Sequence, residues 1–171
     1  MKKQLLTIIA LFVMTMVWFA PPAAAYNQSD LNKLLNTKTC TNCDLSDAPL
    51  GFASLPKANV SGSNMIDINL SGADLRQAKL QGANLSSTKG QYSSDLSISN
   101  LQRADFSSAN LNGVDLSSTT LTGTNFSHAH LDNCDLSFTN LSLAITTGAT
   151  FTGATYCHTI MPNGQMNNSG C

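Results

Sequence analysis

The chain has 171 residues, of which 42% are hydrophobic and only 11% charged, and its formal net charge is −1. So small a charge gives no footprint for a nucleic-acid partner or a strongly cationic one. Aromatic residues make up 6%, and Ser, Thr, Asn, Asp, Ala and Leu dominate. Unpatterned, that mixture would read as disorder, but the order of the residues overrides it.

Residues 1–25 read as a secretory signal peptide. Met1-Lys2-Lys3 is a basic start, Leu5 to Ala20 is apolar apart from Thr7 and Thr15, and Pro21 to Ala25 is a small-residue cleavage site, placing the mature start at Tyr26. The apolar run is short for a bilayer-spanning helix, which needs about 20 residues, so an uncleaved anchor is the weaker alternative. The mature chain then carries seven Lys and Arg, ten Asp and no Glu, and is expected to be soluble, exported and free of the membrane.

Residues 26–42 form an expected N-terminal cap. Ser29 is placed as the N-cap of a short helix with Leu31, Leu34 and Leu35 on one face.

From Cys43 the chain falls into fives: CDLSD, APLGF, ASLPK, ANVSG, SNMID, INLSG, ADLRQ, AKLQG, ANLSS. A large apolar residue returns at every fifth position from Leu45 to Leu85. Five steps on an α-helix rotate each one by about 140° from the last, so no face forms. On a flat strand an odd period alternates faces. A shared core therefore needs a turn inside every repeat. The central residue and the small residue two places before it point inward, while Asn, Asp, Ser and Gly supply corners. Gly62, Gly72 and Gly82 fall two places after a central residue, where a tight corner needs a free φ. Leu96 follows Leu85 by eleven residues and the phase then holds to Met161, which reads as two repeats with one residue inserted within SSTKGQYSS. Residues 43–161 are thus a solenoid whose units cannot bury their core alone. Residues 162–171 follow as a C-terminal cap, with Pro162-Asn163-Gly164 at the tip of a turn.

ADLRQ, ANLSS, ADFSS and ANLNG in tandem resemble the signature of pentapeptide-repeat proteins. The resemblance implies an all-β chain: a right-handed quadrilateral parallel β-helix with four pentapeptides per coil. Some six coils at β-sheet spacing would make a rod about 28 Å long. The CTNCDL start and MPNGQMNNSGC end are similar to exported cyanobacterial members, which favours a thylakoid lumen, with a bacterial periplasm as the other compartment.

Five cysteines in an exported chain invite pairing. Cys157 and Cys171 flank the C-terminal turn and are expected to close it, the alternative being two thiols on a frayed tail. Cys40 and Cys43, in CTNC, pair locally if so short a ring finds suitable geometry. Cys134 takes a small inward position and is expected to be the free, buried thiol. A redox-active pair at Cys40 and Cys43 lacks the βαβ surroundings of thioredoxin-like enzymes. One zinc site joining Cys40, Cys43, Cys157 and His158 is excluded on a rod that sets them about 27 Å apart.

Folded into four columns, the repeats place Asp74, Asp95, Asp115 and Asp135 one coil apart on one face, with Ile98 and Phe138 outward beside them and Arg76 and Lys57 toward the N-terminal end. This is a candidate contact face or divalent-cation ladder, and the plainer alternative is that each Asp bonds its own corner backbone. His128 and His130 lack a third ligand, and no metal is expected. Sequons such as Asn69-Leu70-Ser71 arise automatically from the repeat. No catalytic triad, phosphate loop or dinucleotide fingerprint is present.

The resulting expectation is a non-catalytic, monomeric, exported scaffold that needs no cofactor and binds an unidentified protein rather than nucleic acid. Imitation of duplex DNA to protect gyrase, known in the resembled family, is the alternative. A CxxC thiol oxidoreductase ranks third.

Overall fold

The structure, a computed structural model, describes residues 26–87 and 94–171. The expected signal peptide lies outside the described residues. No helix among the described residues is long and apolar enough to cross a membrane.

Helix α1 (Gln28–Thr37) opens the fold. Its N-cap is Asn27, not Ser29: the Asn27 side chain accepts from the Ser29 and Asp30 N–H groups. Both residue types cap well, and Asn27 is fixed in place because its own N–H donates to Asp44 O at 3.0 Å. Leu31 and Leu34 are buried against the first coil, whereas Leu35, expected on the same face, is 43% exposed. Lys38 ends the helix in the left-handed region at φ 57°, its N–H donating to Leu34 O.

The coils that follow are defined by parallel bridges between residues 20 apart, in four columns beginning at Thr39, Asp44, Pro49 and Ser54. Each column holds six residues, so six four-sided coils stack. The ladder begins at Thr39 because Cys40 is already in phase with Leu45 and is fully buried. Up to Leu141 the sides contribute a buried central residue (Leu75, Leu101, Phe106) and a small residue two places before it (Ala73, Ser99, Ala104), while in the last coil Phe151, Tyr156 and Met161 are only partly buried. Burying each central leucine contributes about 1.5–3 kcal/mol. Phe106 and Phe126, one coil apart, stack with centroids 5.5 Å apart. Small polar residues in the core are tied down. Ser63 Oγ donates to Cys40 O, Thr124 Oγ1 to Leu101 O and Thr159 Oγ1 to Leu136 O, at 2.7–2.8 Å.

The regular corners fall two residues after a central residue and have positive φ, whatever the side chain: Phe52 (59°), Gly72 (67°), Arg103 (56°), Leu143 (62°); Ser87, beside the insertion, stands at the same position without it. Asn or Asp before the central residue stabilises the corner by accepting from the backbone N–H two residues on, as Asn100 does from Gln102.

The ladder separation rises from 20 to 26 across one coil, where Asn69 pairs with Asp95 and Asp74 with Asn100. The irregularity is therefore six extra residues inserted into one coil, not the single residue expected. Residues 88–93, where most of the expected insertion falls, lie outside the described residues. The described flanks meet where the Ser94 N–H donates to Ser87 Oγ at 2.9 Å, and Ser87 Oγ donates to Gly113 O at 2.8 Å.

The last coil is closed by an antiparallel pair, β1 (Thr159–Ile160) with β2 (Met166–Asn167). The turn between them is held by Met161 N–H to Gln165 O and Gly164 N–H to Met161 O.

Candidate contact face and capped ends

The corrected coil register rearranges the candidate face. Asp95, Asp115 and Asp135 are consecutive in the Pro49 column, preceded by Asn69. Asp74 is not among them: it lies on the next side, between Ser54 and Asn100. The reason is the six-residue insertion, which sets every later residue back by one side relative to a one-residue count. Arg76 and Lys57 move with Asp74 to that neighbouring side. There Arg76 grips Asp74 at 2.7 Å, and this hydrogen-bonded pairing holds the Asp74 carboxyl below its ordinary pKa.

The three ladder aspartates each cap their own corner, accepting at 2.8 Å from the N–H of Ser97, Ser117 and Ser137. The second carboxylate oxygen of each accepts no hydrogen bond among the described residues, and successive aspartates of the half-buried row repeat at about 4.8 Å. Along the adjoining corner row stand Phe52, Gly72, Ile98, Ser118, Phe138 and His158, stacked through Phe52 N–H to Ser71 O, Gly72 N–H to Ser97 O, Ile98 N–H to Ser117 O and Phe138 N–H to Cys157 O. Phe52, Ile98 and Phe138 are 78%, 57% and 60% exposed. They occupy alternate coils, with a small residue between each pair. Phe52 belongs to this row and was missed at the sequence level, where the shifted register hid it. Correct folding into columns would have found it.

The neighbouring side carries Lys57, Arg76 and Arg103. A shallow groove of about 280 Å³ is lined by Arg76, Gln77, Gln102, Arg103 and Thr122. Acidic and basic stripes thus run on adjacent sides of the rod.

At the N-terminal end Cys40 and Cys43 form a disulfide between two inward positions of the first coil, both buried. At the other end Cys157 and Cys171 form a disulfide across the C-terminal turn, near the surface. Cys134 is a free, fully buried thiol whose burial pushes its pKa up to about 12. His128 occupies a corner and His130 the next side, its Nδ1 3.4 Å from Thr150 Oγ1. Neither belongs to a group of three metal-ligating side chains among the described residues.

A family model described as pentapeptide repeats matches in eight copies over residues 43–82, 68–97 and 99–137. Among solved structures, the chain is similar to the pentapeptide repeat protein Rfr23 from the cyanobacterium Cyanothece 51142. That match has 22% identity and a TM-score of 0.67, and covers 74% of this chain and 96% of that one. It is also similar to HetL, a pentapeptide repeat protein involved in heterocyst differentiation regulation from the cyanobacterium Nostoc sp. strain PCC 7120. There the identity is 28% and the TM-score 0.52, covering 75% of this chain and 66% of that one. These neighbours imply a right-handed quadrilateral β-helix, in agreement with the four bridge columns. Comparison with curated proteins finds no match.

Proposed function

The chain belongs to the pentapeptide-repeat family, and from that premise we propose that it is a non-catalytic, exported scaffold that docks a protein along its Pro49 side. The observation that carries this reading is the row of Phe52, Ile98 and Phe138 beside the ladder of Asp95, Asp115 and Asp135. Exposed apolar groups at every second coil, next to regularly spaced carboxylates, suit a partner segment that alternates apolar and basic side chains. The rod supplies rigidity and the corners supply side chains, so no pocket is needed.

Export into a periplasm or thylakoid lumen is supported by the signal-like leader and by two disulfides, which persist in oxidising compartments. The test is the intact mass of the native protein, alkylated with and without reduction. A chain beginning at Tyr26, with one thiol alkylated only after unfolding and four more after reduction, supports the reading. A full-length chain with five free thiols would overturn it.

Gyrase protection by imitation of DNA has less support. It calls for negative charge along the whole rod, whereas the acidic run spans three coils and Lys57, Arg76 and Arg103 line the next side. A thiol oxidoreductase at Cys40 and Cys43 would need accessible sulfurs, and these are buried.

A further inference from the structure

The C-terminal cap gathers three metal-ligating side chains that the scaffold reading leaves unused. Cys157, His158 and Cys171 bring two sulfurs and one imidazole nitrogen within 4.8 Å of one another. The sulfurs are joined, and His158 Nδ1 lies 3.2 Å from Cys157 Sγ and 3.8 Å from Cys171 Sγ. In a tetrahedral zinc site, with Zn–S about 2.3 Å and Zn–N about 2.0–2.1 Å, neighbouring sulfur and nitrogen ligands stand about 3.6 Å apart. The nitrogen is therefore already at ligand spacing from both sulfurs. Only the sulfurs need to separate, to about 3.8 Å, once their bond is opened.

Contacts other than the disulfide also hold this arrangement. The His158 ring is stacked on Phe138, centroids 5.2 Å apart and planes 5° apart. Its backbone N–H donates to Asn168 Oδ1 at 2.8 Å. Cys157 is fixed by its carbonyl accepting from Phe138 N–H at 2.7 Å. The last residues are fixed by Gly170 N–H to Tyr156 O at 2.7 Å and Cys171 N–H to Asn168 O at 3.2 Å. His158 and Cys171 are exposed, so a fourth position is open to water.

We propose that the dithiol form of this cap is a metal site, in which Cys157 Sγ, Cys171 Sγ and His158 Nδ1 bind Zn²⁺ or a similar borderline-soft divalent cation. A dithiol reductant opens the site: two electrons and two protons pass to the Cys157–Cys171 bond, and the reductant leaves as its own disulfide. The cation then displaces both thiol protons, as metal binding by cysteine requires. The cap is thus closed by a covalent bond under oxidising conditions and by a metal under reducing ones. The opposite end does not offer the same exchange, although Asp30 lies near Cys40 and Cys43. Those sulfurs are buried, and Asp30 Oδ2 already accepts from the Asp44 N–H at 2.9 Å.

The experiment uses the full chain carrying Cys134→Ser, reduced with a dithiol, desalted without oxygen and titrated with Co²⁺ and Zn²⁺. One equivalent of Co²⁺ should bind with a thiolate charge-transfer band and be displaced by Zn²⁺, while the oxidised chain binds none. His158→Ala should weaken Zn²⁺ binding at least tenfold, and Cys157→Ser with Cys171→Ser should abolish it. Cys40→Ser with Cys43→Ser should bind as the parent does. Thermal melts of each variant separate loss of binding from loss of fold. The proposal is overturned if the reduced chain takes up no equivalent, if binding survives Cys157→Ser with Cys171→Ser, or if folded His158→Ala binds as tightly as the parent.

Discussion

Asn69 and Asp95 are direct neighbours across one step of the coil, although 26 residues separate them and every other step of that column takes 20. Their pairing sets the register of the C-terminal half of the rod. It makes Asp95 the first of three stacked aspartates and sends Asp74 to another side.

Excising residues 88–93, so that Ser87 runs directly into Ser94, is expected to leave the fold intact. Ser87 is already at a corner position and Ser94 at a small inward one, buried beneath Leu96, so the join restores a spacing of five. Because loop closure costs little per added residue, the melting midpoint should move by only a few degrees, upward if at all. Loss of cooperative unfolding in the excised variant would show that the ladder depends on the insertion.

Gly72→Ala is expected to destabilise by about 1–2 kcal/mol, read from urea unfolding. Its φ is +67°, and an added Cβ would meet Phe52 Cε1 at 2.5 Å. The contact is with a side chain, so combining Gly72→Ala with Phe52→Ala should recover part of the loss. The backbone share should persist, and full recovery would mean the corner conformation costs nothing.

Cys134→Ser is expected to be nearly neutral, costing less than about 1 kcal/mol. Cys134 Sγ lies 2.9 Å from Leu111 O, in the geometry by which Ser63, Thr124 and Thr159 donate to the carbonyl of the central residue 23 positions back. Serine can make the same bond. In the parent the thiol should resist alkylation in the folded chain, since burial holds its pKa up to about 12. The sign of its pH dependence follows. The folded state keeps a proton that the unfolded state loses above pH 9, so this group erodes stability between about pH 9 and 12 and leaves it unchanged below. Cys134→Ser should flatten that alkaline loss.

Asp115→Asn is expected to separate the two jobs of the ladder. Asn still accepts from the Ser117 N–H, as Asn140 does from Ser142, so thermal stability should stay within about 0.5 kcal/mol of the parent. A basic partner should nevertheless bind more weakly, with a shallower salt dependence. Ile98→Ser should weaken the same complex without the change in salt slope. Unchanged binding in both variants would move the contact face elsewhere.

Phe126→Ala is expected to cost about 3–5 kcal/mol, because it empties a fully buried position and removes the stack on Phe106. Denaturant unfolding measures it directly. A solenoid divides its core among neighbouring coils, so the loss should fall on the coils around Phe126 before it reaches α1, and hydrogen exchange would resolve the difference.

Much of this protein is legible residue by residue. The period of five, the inward pair on each side and the corner two places after it all appear in the sequence, because a pentapeptide makes its own turn from local sterics and hydrogen bonds. The position of Cys134 is readable for the same reason. The helix at the N-terminus is readable too, but not its cap: Ser29 and Asn27 both suit that role, and contact with Asp44 decides between them. Leu35 fits the apolar face by spacing, yet the first coil covers only Leu31 and Leu34.

What the sequence determined by itself is therefore the side of the coil. What only the tertiary structure decided is which sides lie over one another. A gap of eleven residues between Leu85 and Leu96 is equally two repeats plus one residue or one repeat plus six, and nothing local distinguishes them. The choice is made by backbone bonds between residues 20 or more apart, such as Leu70 N–H to Asp95 O at 2.7 Å, which exist only once the coils have stacked. The acidic ladder and the alternating apolar row depend on that stacking, so they belong to the fold and not to the repeat, whereas the pairing of Cys157 with Cys171 spans only 14 residues and is readable from the turn between them.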